Sequence, residues 1–255
     1  HNSDQDAAKN AAASKVALKD LFGRNTIEVQ ASSAGTWGNQ LKVSVEAPRE
    51  PFQLAPTNGV RAGSTSARVE LTRGFEPGSI VKVSDTKNTE YVKIVKTTRR
   101  QIFWDSETPL VNSYRTEDGA VLEPVNFQLT VVHEAGLEVH ENLSTSPEHP
   151  SYFETVVNRD SRVIRVKDLK SATELPYNMP QLVEEVPLFG GRDGIEFLTP
   201  EDFIGYRLGP KSSSGLGLFD EVDEIGTLLA PDLMRMQEVS TGFRSEKDVE
   251  VIQKA

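Results

Sequence analysis

ARVELT at Ala67–Thr72, IVKV at Ile80–Val83, YVKIV at Tyr91–Val95, QIFW at Gln101–Trp104 and AVL at Ala120–Leu122 decide the fold. Each stretch alternates apolar and polar residues, the period of a strand with one face wet. Turn formers separate them at Gly74, Pro77-Gly78, Asp85 to Asn88 and Asp118-Gly119, so the segment predicts an antiparallel sandwich or barrel. A further pair, Phe127–Glu134 and Leu137–Leu143, predicts a hairpin turning at Ala135-Gly136. With that turn, residues whose numbers sum to 271 face each other, placing His133 opposite Glu138 and His140 opposite Val131.

Working outward, TIEVQAS and LKVSVEA read as a β-turn-β unit around Ala34-Gly-Thr-Trp-Gly-Asn39. Asp4 to Leu21, rich in Ala and Lys and closed by Gly23, predicts a helix. Pro48 to Ser66 is a Pro- and Gly-rich connection. Beyond Ser146, Pro147 and Pro150 introduce a helix carrying Tyr152, Phe153, Val156 and Val157. A strand Arg162–Val166 and a crossing marked by Pro176, Pro180 and Pro187 follow. Thr199-Pro-Glu-Asp202 places a Thr cap, Pro at the first helical position and an acid two residues on. Lys211–Gly215 reads as a loop and Glu224–Ala230 as a strand. The expected class is α+β overall, with three parts: a helical lead-in over 1–24, a β-rich domain over 25–145, and the start of an α/β domain over 146–255. Ser245-Glu-Lys-Asp248 resembles a capping box whose helix runs to Ala255 without a stop signal, so the chain is expected to be a fragment of a longer protein.

Composition removes several function classes. The longest apolar runs fall far short of the roughly 20 residues a membrane helix needs. The first ten residues lack the pattern of an export signal. With no Cys among 255 residues there is no disulfide, thiolate metal site or cysteine nucleophile. Lys plus Arg number 28 against 38 Asp plus Glu, a net charge of −10 that opposes sequence-independent binding to nucleic acid. The signs are segregated: Lys82 to Arg100 and Arg159 to Lys170 are basic, whereas Gln181 to Asp232 holds eleven acids against Arg192, Arg207 and Lys211. Segregation of this kind suits solvated faces, and it also suits a subunit that meets copies of itself.

Candidate chemistry is sparse. His133-Glu134 and His140-Glu141 suggest a metal pair, but no third ligand stands at metal-site spacing and HExxH is absent, so ordinary edge histidines are expected. Gly190-Gly-Arg-Asp-Gly194 matches neither phosphate-loop pattern and reads as a tight turn. Asp220-Glu-Val-Asp-Glu224 lacks the spacing of a calcium loop. GxSxG is missing. No catalytic, cofactor-binding or metal residue is assigned.

Three stretches together resemble the sheath protein of contractile phage tails and related injection systems. The first is Gly35-Thr-Trp37-Gly38-Asn39 with Leu41 and Val43, similar to the family's G-x-W-G-N-x-L-x-V. The second is Glu141-Asn142-Leu143-Ser144, followed by a Pro, the Tyr152 helix, Asn158 and Ser161. The third is Gly190-Gly191-Arg-Asp193-Gly194, then Asp202, Gly205, Asp223-Glu224 and Pro231-Asp232. The resemblance spans roughly residues 30 to 235. It implies a structural part and not an enzyme, assembled in the cytoplasm into a phage tail or tail-like particle.

The implied partners are other copies of the same protein, an inner tube protein held through regions missing here, and baseplate and terminator proteins. No cofactor, nucleic acid or direct membrane insertion is implied. Gly35, Gly38 and Gly191 are expected to form turns and Trp37 to anchor the β-domain core. The rival reading is a β-domain that recognises a surface glycan or protein, which exposed aromatics clustered on one sheet face would favour.

Overall fold

The computed structural model describes residues 11–49, 53–174, 176, 178–205, 215–219, 233–243 and 245–253. The class is α+β, dominated by antiparallel sheets, and the chain divides into two compact units.

The larger unit comprises 15–32 and 40–188. Its five-stranded sheet has the order β4-β7-β6-β5-β8, from β4 (Ser66–Arg68), β5 (Ile80–Ser84), β6 (Thr89–Thr98), β7 (Gln101–Trp104) and β8 (Val121–Pro124). Each expected strand is present within a few residues, because alternating β-branched side chains have a packed face to fill. Val81, Val83, Ile94, Ile102, Trp104 and Leu122 are buried there, together with Tyr114 from the following loop.

A four-stranded sheet, β10-β9-β3-β12, joins β3 (Lys42–Glu46), β9 (Phe127–His133), β10 (Gly136–Leu143) and β12 (Val183–Pro187). The hairpin turns one residue earlier than expected, through Glu134-Ala135, so facing residues sum to 269: His133 meets Gly136, Glu138 meets Val131 and His140 meets Leu129. Gly136, at φ 137°, takes the strained backbone just after the turn and so sets the register. β12 lies inside the Pro-rich crossing. Its Pro187 ends an edge strand, where a missing N–H costs little.

The third sheet, β1-β2-β11, corrects the lead-in. Lys15–Lys19 is strand β1, paired with β2 (Asn25–Ala31), where a helix was expected. Val16 and Leu18 alternate into the core, and that burial outweighs the helix propensity of the surrounding Ala and Lys. Residues 1–10 of the expected helix lie outside the described residues. Gly23, at φ 81°, serves the β1–β2 turn, where buried Asp20 accepts hydrogen bonds from the Phe22 and Arg24 backbone N–H groups (2.9 and 3.0 Å) and from Arg24 Nε (2.8 Å). β2 and β3, expected to pair, belong to different sheets. β11 (Ile164–Asp168) pairs antiparallel with β2, and α1 (Phe153–Asp160) packs on β11 and β10. The compact unit thus continues through Ser146 to Leu188.

The smaller unit comprises, among described residues, 11–14, 33–39, 189–205, 215–219, 233–243 and 245–253. It holds α2 (Pro200–Ile204), α3 (Leu233–Val239) and α4 (Glu246–Gln253). Leu233, Met236, Phe243, Val249 and Ile252 form its core, with Leu198, Phe203, Ile204 and Leu216 against them. The Phe203 and Phe243 rings meet edge-on at 5.6 Å. The expected capping box forms at Thr199, and its carboxylate half is seen at Ser245. Asp202 Oδ2 accepts from Thr199 N and Oγ1 (2.8 and 3.0 Å), and Asp248 Oδ2 accepts from Ser245 N (2.8 Å). The expected strand Glu224–Ala230, most of the Lys211–Gly215 loop, and Asp223, Glu224, Pro231 and Asp232 lie outside the described residues. Among the described residues no helix is long and apolar enough to cross a membrane.

Candidate functional site

Two of the three motif stretches meet in the smaller unit. Gly35 to Asn39 enters a 3₁₀ turn at Thr36–Gln40. Across from it, Asp193 takes Thr36 in both hands: Oδ1 accepts the Thr36 N–H at 2.8 Å and Oδ2 accepts the Thr36 hydroxyl at 2.7 Å. These two bonds, the hydroxyl first, hold the Asp193 carboxyl below the usual range. One turn on, the Asn39 side chain closes a second clasp, with Oδ1 accepting from Gly191 N at 2.8 Å and Nδ2 donating to Gly191 O at 3.0 Å. Ser14 Oγ donates to the same Oδ1 at 2.8 Å. Ala12 adds a two-way backbone bridge to Arg192, 2.9 Å in each direction, and accepts from Gly35 N at 3.1 Å.

The glycines are explained by closeness as much as by turning. Gly35, at φ 139°, needs a conformation other residues avoid. Gly191 does not: a Cβ there would overlap Ser14 Oγ and the Gly35 carbonyl. Gly38 is buried but has no positive φ, so its expected turn-forming role is not its conformation. Trp37 does not anchor a core; it is 36% exposed, with Nε1 donating to Ala34 O at 3.4 Å. Trp104 fills the sheet core instead. Gly190 and Gly194 adopt positive φ on either side of the Arg192 bridge, where a tight turn was expected, and Gly205 closes α2 through its N–H to Glu201 O at 2.8 Å.

The second motif stretch lies in the larger unit. Asn142, at φ 54°, sits in a bulge of β10, Glu141 pairs with Arg49 at 3.7 Å, and Leu143 and Ser144 are buried. Ser144 exchanges backbone bonds with Ser151 and Phe153, leading the chain into α1. Asn158 ties α1 to β11, with Oδ1 accepting from Val166 N (2.7 Å) and Nδ2 donating to Val166 O (2.8 Å). Glu138 accepts from Ser161 Oγ at 2.6 Å and Arg162 N at 3.1 Å. Burial opposes its ionisation, but these donors hold its carboxyl below the usual range.

The two expected metal-pair histidines are not brought together. His140 is buried with Nε2 3.7 Å from Glu138 Oε2. The observed register puts it four residues up the strand from the partner of His133, roughly 13 Å away at about 3.4 Å per residue. Among the described residues no group of three or more His, Cys, Asp or Glu is placed to hold a metal ion. Glu90 is a hub that the sequence did not reveal. It accepts from Val111 N (2.7 Å), Asn112 N (2.8 Å), Asn112 Nδ2 (2.9 Å) and the Tyr114 hydroxyl (2.9 Å). Those donors hold its carboxyl low against burial, and burial together with Glu90 pushes the Tyr114 phenol up. It fastens a loop to the five-stranded sheet.

Sequence reading named Gly35, Asn39, Gly191 and Asp193 but missed Thr36, Ser14 and Ala12, which complete the clasp. A Thr beside a left-handed Gly was the available signal for Thr36; Ser14 and Ala12 carry none. No family model matches the chain, and no curated protein matches it.

Proposed function

We propose that this chain is a structural subunit of a contractile tail sheath, assembling helically around an inner tube and contracting to drive that tube through a target envelope. One observation carries the reading. Three stretches resembling the sheath family occur in family order, and two of them, with Asn39 and Gly191 separated by 152 residues, interlock through side-chain and backbone hydrogen bonds. Residues joined in this way form one fastened structural element, which suits a load-bearing part.

Head-to-tail copies related by a rotation that does not close give an open helix, and a second packing of lower free energy shortens it. The extended form persists because the barrier to the second packing is high. The partners are other copies of the protein, the inner tube, and baseplate and terminator proteins, within a phage or phage-tail-like particle. The rival reading, a glycan-binding module, calls for exposed sheet aromatics; Trp104 of the five-stranded sheet and Tyr114 packed in its core are buried, and Tyr91 and Phe103 are half-buried. Electron microscopy of the intact gene product carrying this chain tests the proposal. Long striated tubes are expected, and a monodisperse single particle would overturn it.

A further inference from the structure

His140 on β10 carries an unexplained atom. Its side chain is 7% exposed, and Nε2 is buried with no hydrogen-bond partner among the described residues. Leaving such an atom unpaired is costly, so its surroundings call for a partner. Glu138 stands two residues earlier, and the period of a strand sends both side chains to the same face of β10. Its Oε2 lies 3.7 Å from His140 Nε2. That gap is too long for a hydrogen bond. A water held at about 2.8 Å from both atoms would be squeezed to an angle of roughly 80°, far below the tetrahedral spread of its bonds. Zinc fits better: at bonds of about 2.0–2.1 Å and a tetrahedral angle, its two donors stand about 3.4 Å apart, a few tenths of an ångström from the spacing seen.

The carboxylate is also held in place for such a role. Ser161 Oγ donates to Glu138 Oε2 at 2.6 Å and Arg162 N to Oε1 at 3.1 Å, so the group is oriented by hydrogen bonds, as metal-binding carboxylates are. We propose that Glu138 Oε2 and His140 Nε2 bind a zinc ion, with water from the adjoining cleft filling its other positions. Val156, Asp160 and Arg162 line that cleft with them. Asp160 is engaged by Arg159 at 2.6 and 2.8 Å, and among the described residues no third His, Asp or Glu is placed to join the ion. Two protein ligands, against the three or four usual for zinc, make this a reversible site. The nitrogen donor also sets the choice of ion, because magnesium and calcium take oxygen. The inference goes beyond the sheath reading and does not depend on it, since all its residues lie in the larger unit.

Isothermal titration calorimetry of the metal-free 255-residue chain with zinc chloride tests it. Saturable binding is expected, weakened by about ten-fold or more in H140A and in E138Q and unchanged in H133A. Magnesium in excess is expected not to compete. Nitrogen NMR of the wild-type imidazoles reads the same site without a substitution, so it decides the matter even where a variant fails to fold: zinc should shift His140 Nε2. A wild-type chain that binds no zinc, wild-type affinity in H140A, displacement by magnesium, or a spectrum in which only other histidines respond would each overturn the proposal. None of these outcomes bears on whether the intact gene product forms tubes, so the sheath reading stands or falls separately.

Discussion

Asn39 and Gly191 show how single residues fix the join between distant segments. Replacing Asn39 by Ala leaves both backbone groups of Gly191 without their side-chain partner. The expected loss is about 1–2 kcal/mol in chemical denaturation, the cost of a bidentate amide clasp. Gly191→Ala pushes a methyl group into Ser14 Oγ and the Gly35 carbonyl. Its expected cost is about 1–3 kcal/mol, as for overpacking elsewhere, and a stability equal to wild type would show that the close approach does not exist. Asn158→Ala frees the Val166 backbone in the same manner, with an expected loss of about 1–3 kcal/mol. The charged groups add a pH dependence. Asp20, Glu90 and Glu138 all have carboxyls held below their ordinary values by donors that oppose burial. Each therefore contributes stability that is complete above the unfolded-state value, about 4, and is lost as pH falls through the lower folded value. Denaturation midpoints should fall below about pH 4.5. Glu90→Gln should flatten that slope, and a flat wild-type profile from pH 6 to pH 3 would contradict the assignment.

At the scale of elements, the strands were legible because their period is two and their β-branched residues face a core. Gln101–Trp104 was read to the residue, and the others shifted at their ends. Ile102, fully buried in that core, is a test of its packing: Ile102→Ala should cost about 2–5 kcal/mol, seen as a lower midpoint with an unchanged denaturant slope. What failed to read were features set by tertiary partners and not by local composition. β1 has the local composition of a helix and became a strand because β2 offers it an edge. The hairpin register hung on where the turn falls relative to Gly136: the turn came one residue earlier than the spacing suggested, leaving Gly136 as the first residue of β10. Trp37 looked like a core aromatic, yet the 3₁₀ turn that delivers Thr36 and Asn39 to their partners leaves its ring outside. The third motif read as a tight turn, whereas Arg192 forms a backbone bridge with Ala12 there, and the use of Asp193 and Gly191 depends on a stretch more than 150 residues away that could not be read locally.

For the whole molecule, the proposal is a mechanical one: a subunit whose segments distant in sequence are fastened to one another by side-chain clasps. Stored energy in such an assembly lies in the difference between two packings of the same copies, with the extended packing held by a barrier. The direct measurement is the length and diameter, by electron microscopy, of tubes formed by the intact gene product before and after a brief exposure to mild denaturant, which lowers the barrier without unfolding the subunits. The account predicts shorter, wider tubes after exposure with the number of subunits per tube unchanged. Tubes of fixed length and width, or no tubes at all, would contradict it.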